Sequence, residues 1–235
     1  MMTQELHKAQ VSILRTLRHN PSARYTTLRR PTGLESDVFK FHLRKLLHQK
    51  YVRKLESGAY HLTPTGKEFA NNLSDARRTA QKQPKLSVVI VASKDFDGTK
   101  KYLCQKRLRN PFYGFWGCLS GPVQWGESLE AAARREFEKQ TGMTATYAVG
   151  SFYRETDYAT DADAILEDKL FAVMKATEVV GEITNVWSKG LNAWMTLEEL
   201  EMQDKYFTAT RNFVKLLETR KSYQAGGVDY KQTEY

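Results

Sequence analysis

Apolar residues recur at two different periods along this chain, and the change of period divides it. Leu6, Ala9, Ile13 and Leu17 stand at helical spacing and predict a first helix that stops near Asn20-Pro21. A short segment over 25–30 follows, then a turn at Pro31-Thr32-Gly33. From 35 to 49 the pattern is helical again. Phe39, Leu43 and Leu47 predict its buried stripe, Lys40, Arg44 and His48 another face, with Ser36 exposed near the start. Residues 51–56 and 59–62 predict a hairpin about Ser57-Gly58, and Thr63-Pro64 opens a closing helix.

After a polar stretch at 74–83 the pattern becomes that of strands. Leu86-Ser87-Val88-Val89-Ile90-Val91 predicts a buried strand, Tyr102 to Arg107 another, and Asp97-Gly98 the turn between them. Residues 150–168 hold Glu155, Asp157, Asp161, Asp163 and Glu167 and are expected to be a solvated acidic loop. From Gln224 onward, with Gly226-Gly227, a loose tail is expected. The organisation is thus a first domain at 1–80, a linker at 81–85, a second domain at 86–222 and a tail at 223–235.

Charge sharpens this division. Residues 1–83 carry 16 Lys and Arg against 6 Asp and Glu, and residues 84–235 carry 20 against 21. The whole basic excess belongs to the first domain, which is expected to meet a polyanion. The two cysteines, Cys104 and Cys118, lie far from the histidines, all of which fall within the first 61 residues, so neither zinc nor a disulfide framework is expected. No stretch has the roughly 20 apolar residues of a membrane helix, and the start has no apolar signal core. A cytoplasmic protein without a membrane partner is expected.

The phrase FKFHLRKLLHQKYVRKLESGAYHLTPTGKEF resembles the recognition helix and wing of winged helix-turn-helix regulators, over residues 5–73. The resemblance implies double-stranded DNA as partner, a homodimer reading paired half-sites, and contacts from Ser36, Lys40, Arg44, Lys45, Arg53 and Lys54.

Gly121, Glu127, Arg135, Glu136, Phe137, Gly142 and Met143 stand at the spacing G-x5-E-x7-R-E-U-x-E-E-x-G-U, U being bulky and apolar. This resembles the Nudix box, and the likeness extends over residues 85–217. It implies an α/β/α sandwich with a mixed sheet, a nucleotide-type ligand, and Mg²⁺ held by three glutamates on one helical face. Only the first, Glu136, is present; the other two positions hold Lys139 and Gln140. Glu138 lies about 200° round the helix from Glu136 and cannot substitute. Weak or absent hydrolysis is therefore expected, with Glu136 the one residual catalytic or metal-binding carboxylate. Gly121, Glu127, Arg135, Lys139, Gln140, Tyr153 and Arg154 are candidate ligand contacts, with Glu127 and Arg135 tying loop to helix.

Together these readings describe a ligand-responsive DNA-binding regulator. Known Nudix-containing regulators are similar, but there the DNA-binding part follows the Nudix part. One alternative is a Mg²⁺-dependent hydrolase with replacement ligands from 155–168. Another is an RNA-associated or protein-interaction module.

Overall fold

The computed structural model describes residues 6–73 and 83–235. Residues 74–82, most of the polar stretch and the first two residues of the linker predicted at 81–85, lie outside the described residues. The chain divides into two compact units, Met1–Lys82 and Gln83–Tyr235.

The first unit contains helices α1 (Lys8–His19), α2 (Tyr25–Arg29) and α3 (Ser36–His48), the paired strands β1 (Val52–Lys54) and β2 (Tyr60–Leu62), and helix α4 (Pro64–Asn71). Helix α1 starts where the His7 side chain accepts from the Ala9 amide. It ends at Asn20, because the residue before Pro21 disfavours helical backbone. Thr63 caps α4 by accepting from the Gly66 amide at 3.0 Å. Gly66 itself has no alternative: a Cβ there would lie 1.8 Å from the Tyr51 carbonyl oxygen.

The core packs Ile13, Leu14, Leu28, Phe39 and Leu46 together. On α3 the buried residues are Phe39, His42, Leu43 and Leu46, and the expected Leu47 is displaced to the flank. Each four-residue step advances the helix by about 40° beyond a full turn, so two steps carry Leu47 off the face that Phe39 defines. Ser36 also departs from expectation, since it is half-buried and its hydroxyl lies 3.0 Å from that of Tyr25.

The second unit is an α/β/α sandwich on a mixed sheet. Its elements are β3 (Lys85–Phe96), β4 (Thr99–Arg107), β5 (Trp116–Pro122), α5 (Leu129–Thr141), β6 (Thr144–Ala159), β7 (Ile165–Val180), β8 (Val186–Trp187), β9 (Gly190–Met195), α6 (Leu197–Glu201), α7 (Ala209–Thr219) and β10 (Tyr223–Tyr230). Among the described residues the strand order is β10-β6-β7-β3-β5-β4-β9-β8. β10 runs parallel to β6 and β3 parallel to β7.

Alternation along β3 feeds two cores. Val88, Ile90 and Ala92 face α5, through Ala132, Ala133 and Phe137. Val89 and Val91 face α7, through Phe213, Val214 and Leu216.

Two expectations fail in this unit. The acidic stretch at 150–168 is a pair of long strands, joined through 160–164, rather than a loop. The expected tail contains β10, whose Tyr230 is buried against Phe112 and Phe115. Strand pairing satisfies its backbone even though its sequence is poor in apolar residues.

Phe39→Ala should cost about 3–5 kcal/mol, because Phe39 is wholly buried. Phe41→Ala, on the exposed side of the same helix, should cost less than about 0.5 kcal/mol. Urea denaturation checks both, and equal costs would contradict this orientation of α3.

Candidate functional site

The loop between β5 and α5 is held by one arginine. Arg135 Nε and Nη2 donate to the two oxygens of Glu127 at 2.7 and 2.8 Å, and Nη2 also reaches the Pro122 carbonyl at 2.9 Å. The Arg135 bonds, followed by the Gln124 amide at 2.9 Å, hold the Glu127 carboxyl down at about 2. Ser128 caps α5 by accepting from the Ala131 amide. Gly121 lets the helix come close: a Cβ there would lie 2.3 Å from Glu136 Cγ.

Glu136 is buried under that glycine, and both its oxygens are engaged by its own helix. Oε1 contacts the Arg135 guanidinium and stands 3.5 Å from Lys139 Nζ. Oε2 accepts from Gln140 Nε2 at 2.8 Å, and that same amide donates to the Ser120 carbonyl at 3.1 Å. Lys139 Nζ also lies 5.9 Å from the centroid of the Trp187 ring.

On the α7 side of the sheet lies a cavity of about 300 Å³. Its floor is formed by Ser87, Val89, Cys118, Ser120 and Gly121, and α7 closes it with Thr210 and Phe213. Phe112, Phe171 and Phe207 add aromatic walls, and Lys85, Arg107 and Arg109 bring positive charge. Three buried polar atoms of these lining residues have no hydrogen-bond partner: Glu155 Oε2, Thr210 Oγ1 and Arg107 Nε. Buried polar atoms are nearly always paired, so such a set in one cavity fits a polar ligand.

One wall of the cavity is a buried charge cluster. Lys169 Nζ stands 2.8 Å from Glu155, 2.6 Å from Asp157 and 3.6 Å from Glu167. Lys85 pairs with Glu167 as well. Burial pushes the Asp157 carboxyl up to about 7 despite the opposing pull of Lys169.

The NUDIX domain profile matches residues 83–217. The chain belongs to the Nudix family. Among solved structures, the MutT NUDIX hydrolase from Burkholderia pseudomallei is 26% identical, with a TM-score of 0.45, covering 57% of this chain and 98% of its own. A MutT protein from Bacillus halodurans is 20% identical, with a TM-score of 0.50, covering 64% and 93%, and shares the fold. The NUDIX domain of Shewanella oneidensis NrtR, complexed with ADP ribose, is 20% identical, with a TM-score of 0.49, covering 68% and 99%. No curated protein matches.

The Mg²⁺ typical of Nudix hydrolases does not fit the residues present. A divalent cation needs several free, mostly anionic oxygens. Here the one carboxylate of the α5 face is occupied by two cations and an amide. Nor do Glu155, Asp157 and Glu167 offer replacement ligands, because the Lys169 ammonium stands among them. Asp161 instead accepts from the Gln232 amide, and Asp163 is exposed. Among the described residues no group of three or more His, Cys, Asp or Glu is placed to hold a metal.

Of the other sequence candidates, Gly121 lines the cavity, whereas Arg135 and Lys139 line a shallow depression along α5 that shares no residue with it. Gln140 is buried beneath Glu136. Tyr153 is a core residue packed edge-on to Phe213, its hydroxyl accepting from Asn212 at 3.3 Å. Arg154 points to the opposite sheet face and pairs with Asp168 at 2.8 Å; neither residue lines the cavity. Sequence reading missed Lys169. The alternation of Tyr153, Glu155 and Asp157 could have revealed an inward face, but their meeting with Lys169 depends on the hairpin register Glu155↔Lys169 and Asp157↔Glu167.

Lys169→Met should cost about 3–5 kcal/mol at pH 8, since it strands buried carboxylates. The folded state of wild type holds a proton on Asp157 that the unfolded chain has lost between about pH 4 and 7. This group's contribution to stability therefore falls as pH rises through that window. Losing Lys169 pushes the Asp157 carboxyl further up and removes part of what holds Glu167 down, so the cost of the substitution should shrink at pH 5. Urea midpoints at the two pH values test this, and an unchanged cost would contradict the cluster.

Proposed function

We propose that this protein is a nucleotide-responsive DNA-binding regulator whose Nudix domain holds a diphosphate-containing nucleotide with little or no hydrolysis. The observation that carries this reading is the engagement of Glu136 by Arg135, Lys139 and Gln140. A face that normally gathers divalent cations carries its own cations instead. It suits direct attraction of a phosphate group better than metal-assisted attack by water. The neighbouring cavity supplies aromatic walls for a base and Lys85, Arg107 and Arg109 for phosphate.

The first unit supports the DNA-binding half of the proposal. Its three helices, hairpin and closing helix follow the order of a winged helix-turn-helix. Lys40, Arg44 and Lys45 are exposed on α3, and Arg53 and Lys54 are exposed on the hairpin that would be the wing. Homodimerisation follows from that reading, since such modules usually address paired half-sites. A ligand would regulate DNA affinity by binding the competent and incompetent arrangements unequally.

Thermal unfolding with ADP-ribose and other nucleoside diphosphates in EDTA should show stabilisation without product formation. Lys139→Glu should weaken that metal-free binding. The double change Lys139→Glu with Gln140→Glu should raise Mg²⁺-dependent hydrolysis by at least about 10²-fold, the usual worth of a positioned acid–base group. Mg²⁺-dependent turnover by the wild type, lost in Glu136→Gln, would make the protein an enzyme and overturn this reading.

Affinity for duplex DNA should fall as salt rises. Arg44→Ala should flatten the slope of log affinity against log salt by about 0.9 if its side chain neutralises one phosphate. Preference for single-stranded RNA, or no nucleic-acid binding, would overturn the DNA-binding half.

A further inference from the structure

The Nudix match ends at residue 217, yet the chain continues into β10 and a final turn at Gln232–Glu234. This added segment is anchored twice. β10 pairs with β6 along its length, and Tyr230 is buried with Phe112 and Phe115. The Gln232 amide then donates to Asp161, fixing the turn.

Tyr235 behaves differently from such an anchor, because it is exposed and its contacts fall on the wall of the cavity. Its ring stands edge-on to Phe112, centroids 5.3 Å apart, and its hydroxyl donates to Glu167 Oε1 at 3.4 Å. Both partners line the cavity. Phe112 has a left-handed backbone conformation, φ 63°, uncommon for a bulky residue, and its ring is buried among other aromatics. Those surroundings include Tyr230 on one side, at 4.7 Å between centroids, and Tyr235 on another. Glu167 is shared by Tyr235, Lys85 and Lys169, so its orientation follows all three.

We infer that residues 223–235 buttress the ligand site from behind, with Tyr235 the positioning residue that sets Phe112 and Glu167 for a bound nucleotide. This rests on reading the cavity as the nucleotide site. The aromatic face of Phe112 would then meet the base, while Glu167, an acceptor beside the Lys85 ammonium, would take a hydroxyl or amino proton donor of the ligand. A wall residue held in place from outside the matched Nudix segment gives this chain its own ligand selectivity.

The test compares wild type, Tyr235→Ala and Tyr235→Phe in EDTA, using ADP-ribose as probe and hydrogen exchange over 109–115 and 165–169 as a second readout. Tyr235→Ala should weaken ADP-ribose binding about three- to tenfold, the worth of one edge-to-face aromatic contact. Its thermal midpoint should fall by no more than about 2–4 °C, the shift that a loss of about 1 kcal/mol brings in a chain of this size. Tyr235→Phe keeps the ring and should recover most of the affinity. If Tyr235→Ala binds ADP-ribose as wild type does, the inference is overturned even though the cavity is a nucleotide site. If wild type does not bind the probe, the nucleotide reading of the cavity is what fails, and exchange then decides the positioning role. Faster exchange in both windows in Tyr235→Ala, slowed again in Tyr235→Phe, supports it; unchanged exchange overturns it.

Discussion

The site of the second unit depends on Arg135. With one guanidinium it grips Glu127 through two parallel bonds, reaches the Pro122 carbonyl, and touches Glu136. A loop without regular structure is thereby fastened to the first turns of α5, and Gly121 beside Glu136 brings helix and sheet close enough for that carboxylate to be buried. A planar, permanently charged fork suits this task, because a lysine could not make the parallel pair. The same group that builds the Nudix loop also supplies the first of the cations that neutralise Glu136.

Charge compensation from within the protein recurs on the other side of the sheet. Lys169 stands among Glu155, Asp157 and Glu167 much as a bound cation would. In both places a carboxylate that could serve an external ion is committed to a side chain. Burial makes that commitment strong, since separating such a pair leaves an uncompensated charge in a poorly solvated place. The Nudix scaffold is retained, while the carboxylates at these two places are paired with the protein's own cations. In the proposed regulator, that pairing suits holding an anion better than activating water against it.

Two units of contrasting charge make a sensible division of labour. The basic unit has exposed cations on one helix and one hairpin, above a core of its own. The second unit has near-neutral composition and a cavity with unpaired polar atoms. In the proposed regulator, binding energy collected in that cavity biases the DNA-binding part, and a site that does not turn over its ligand can report concentration at equilibrium.

Much of the fold was legible because its signals are local. Helical spacing, the Asn20-Pro21 stop, the Thr63-Pro64 start and the β-branched run at 86–91 each depend on neighbours within a few residues. The loss of two metal-ligand positions was equally visible, because offsets along one helix fix which side chains share a face. The sequence by itself thus determined the family and the two departures from its motif, Lys139 and Gln140. Only the tertiary structure decided that Tyr153 and Arg154 lie outside the cavity, that Ser36 is tied to Tyr25, and that the stretch from 223 pairs as a strand. It also decided that Lys169 meets three carboxylates and that Tyr235 reaches Phe112 and Glu167. Those contacts join residues far apart in the chain through strand register and helix packing. Period and composition report which way a side chain faces, but not what waits there.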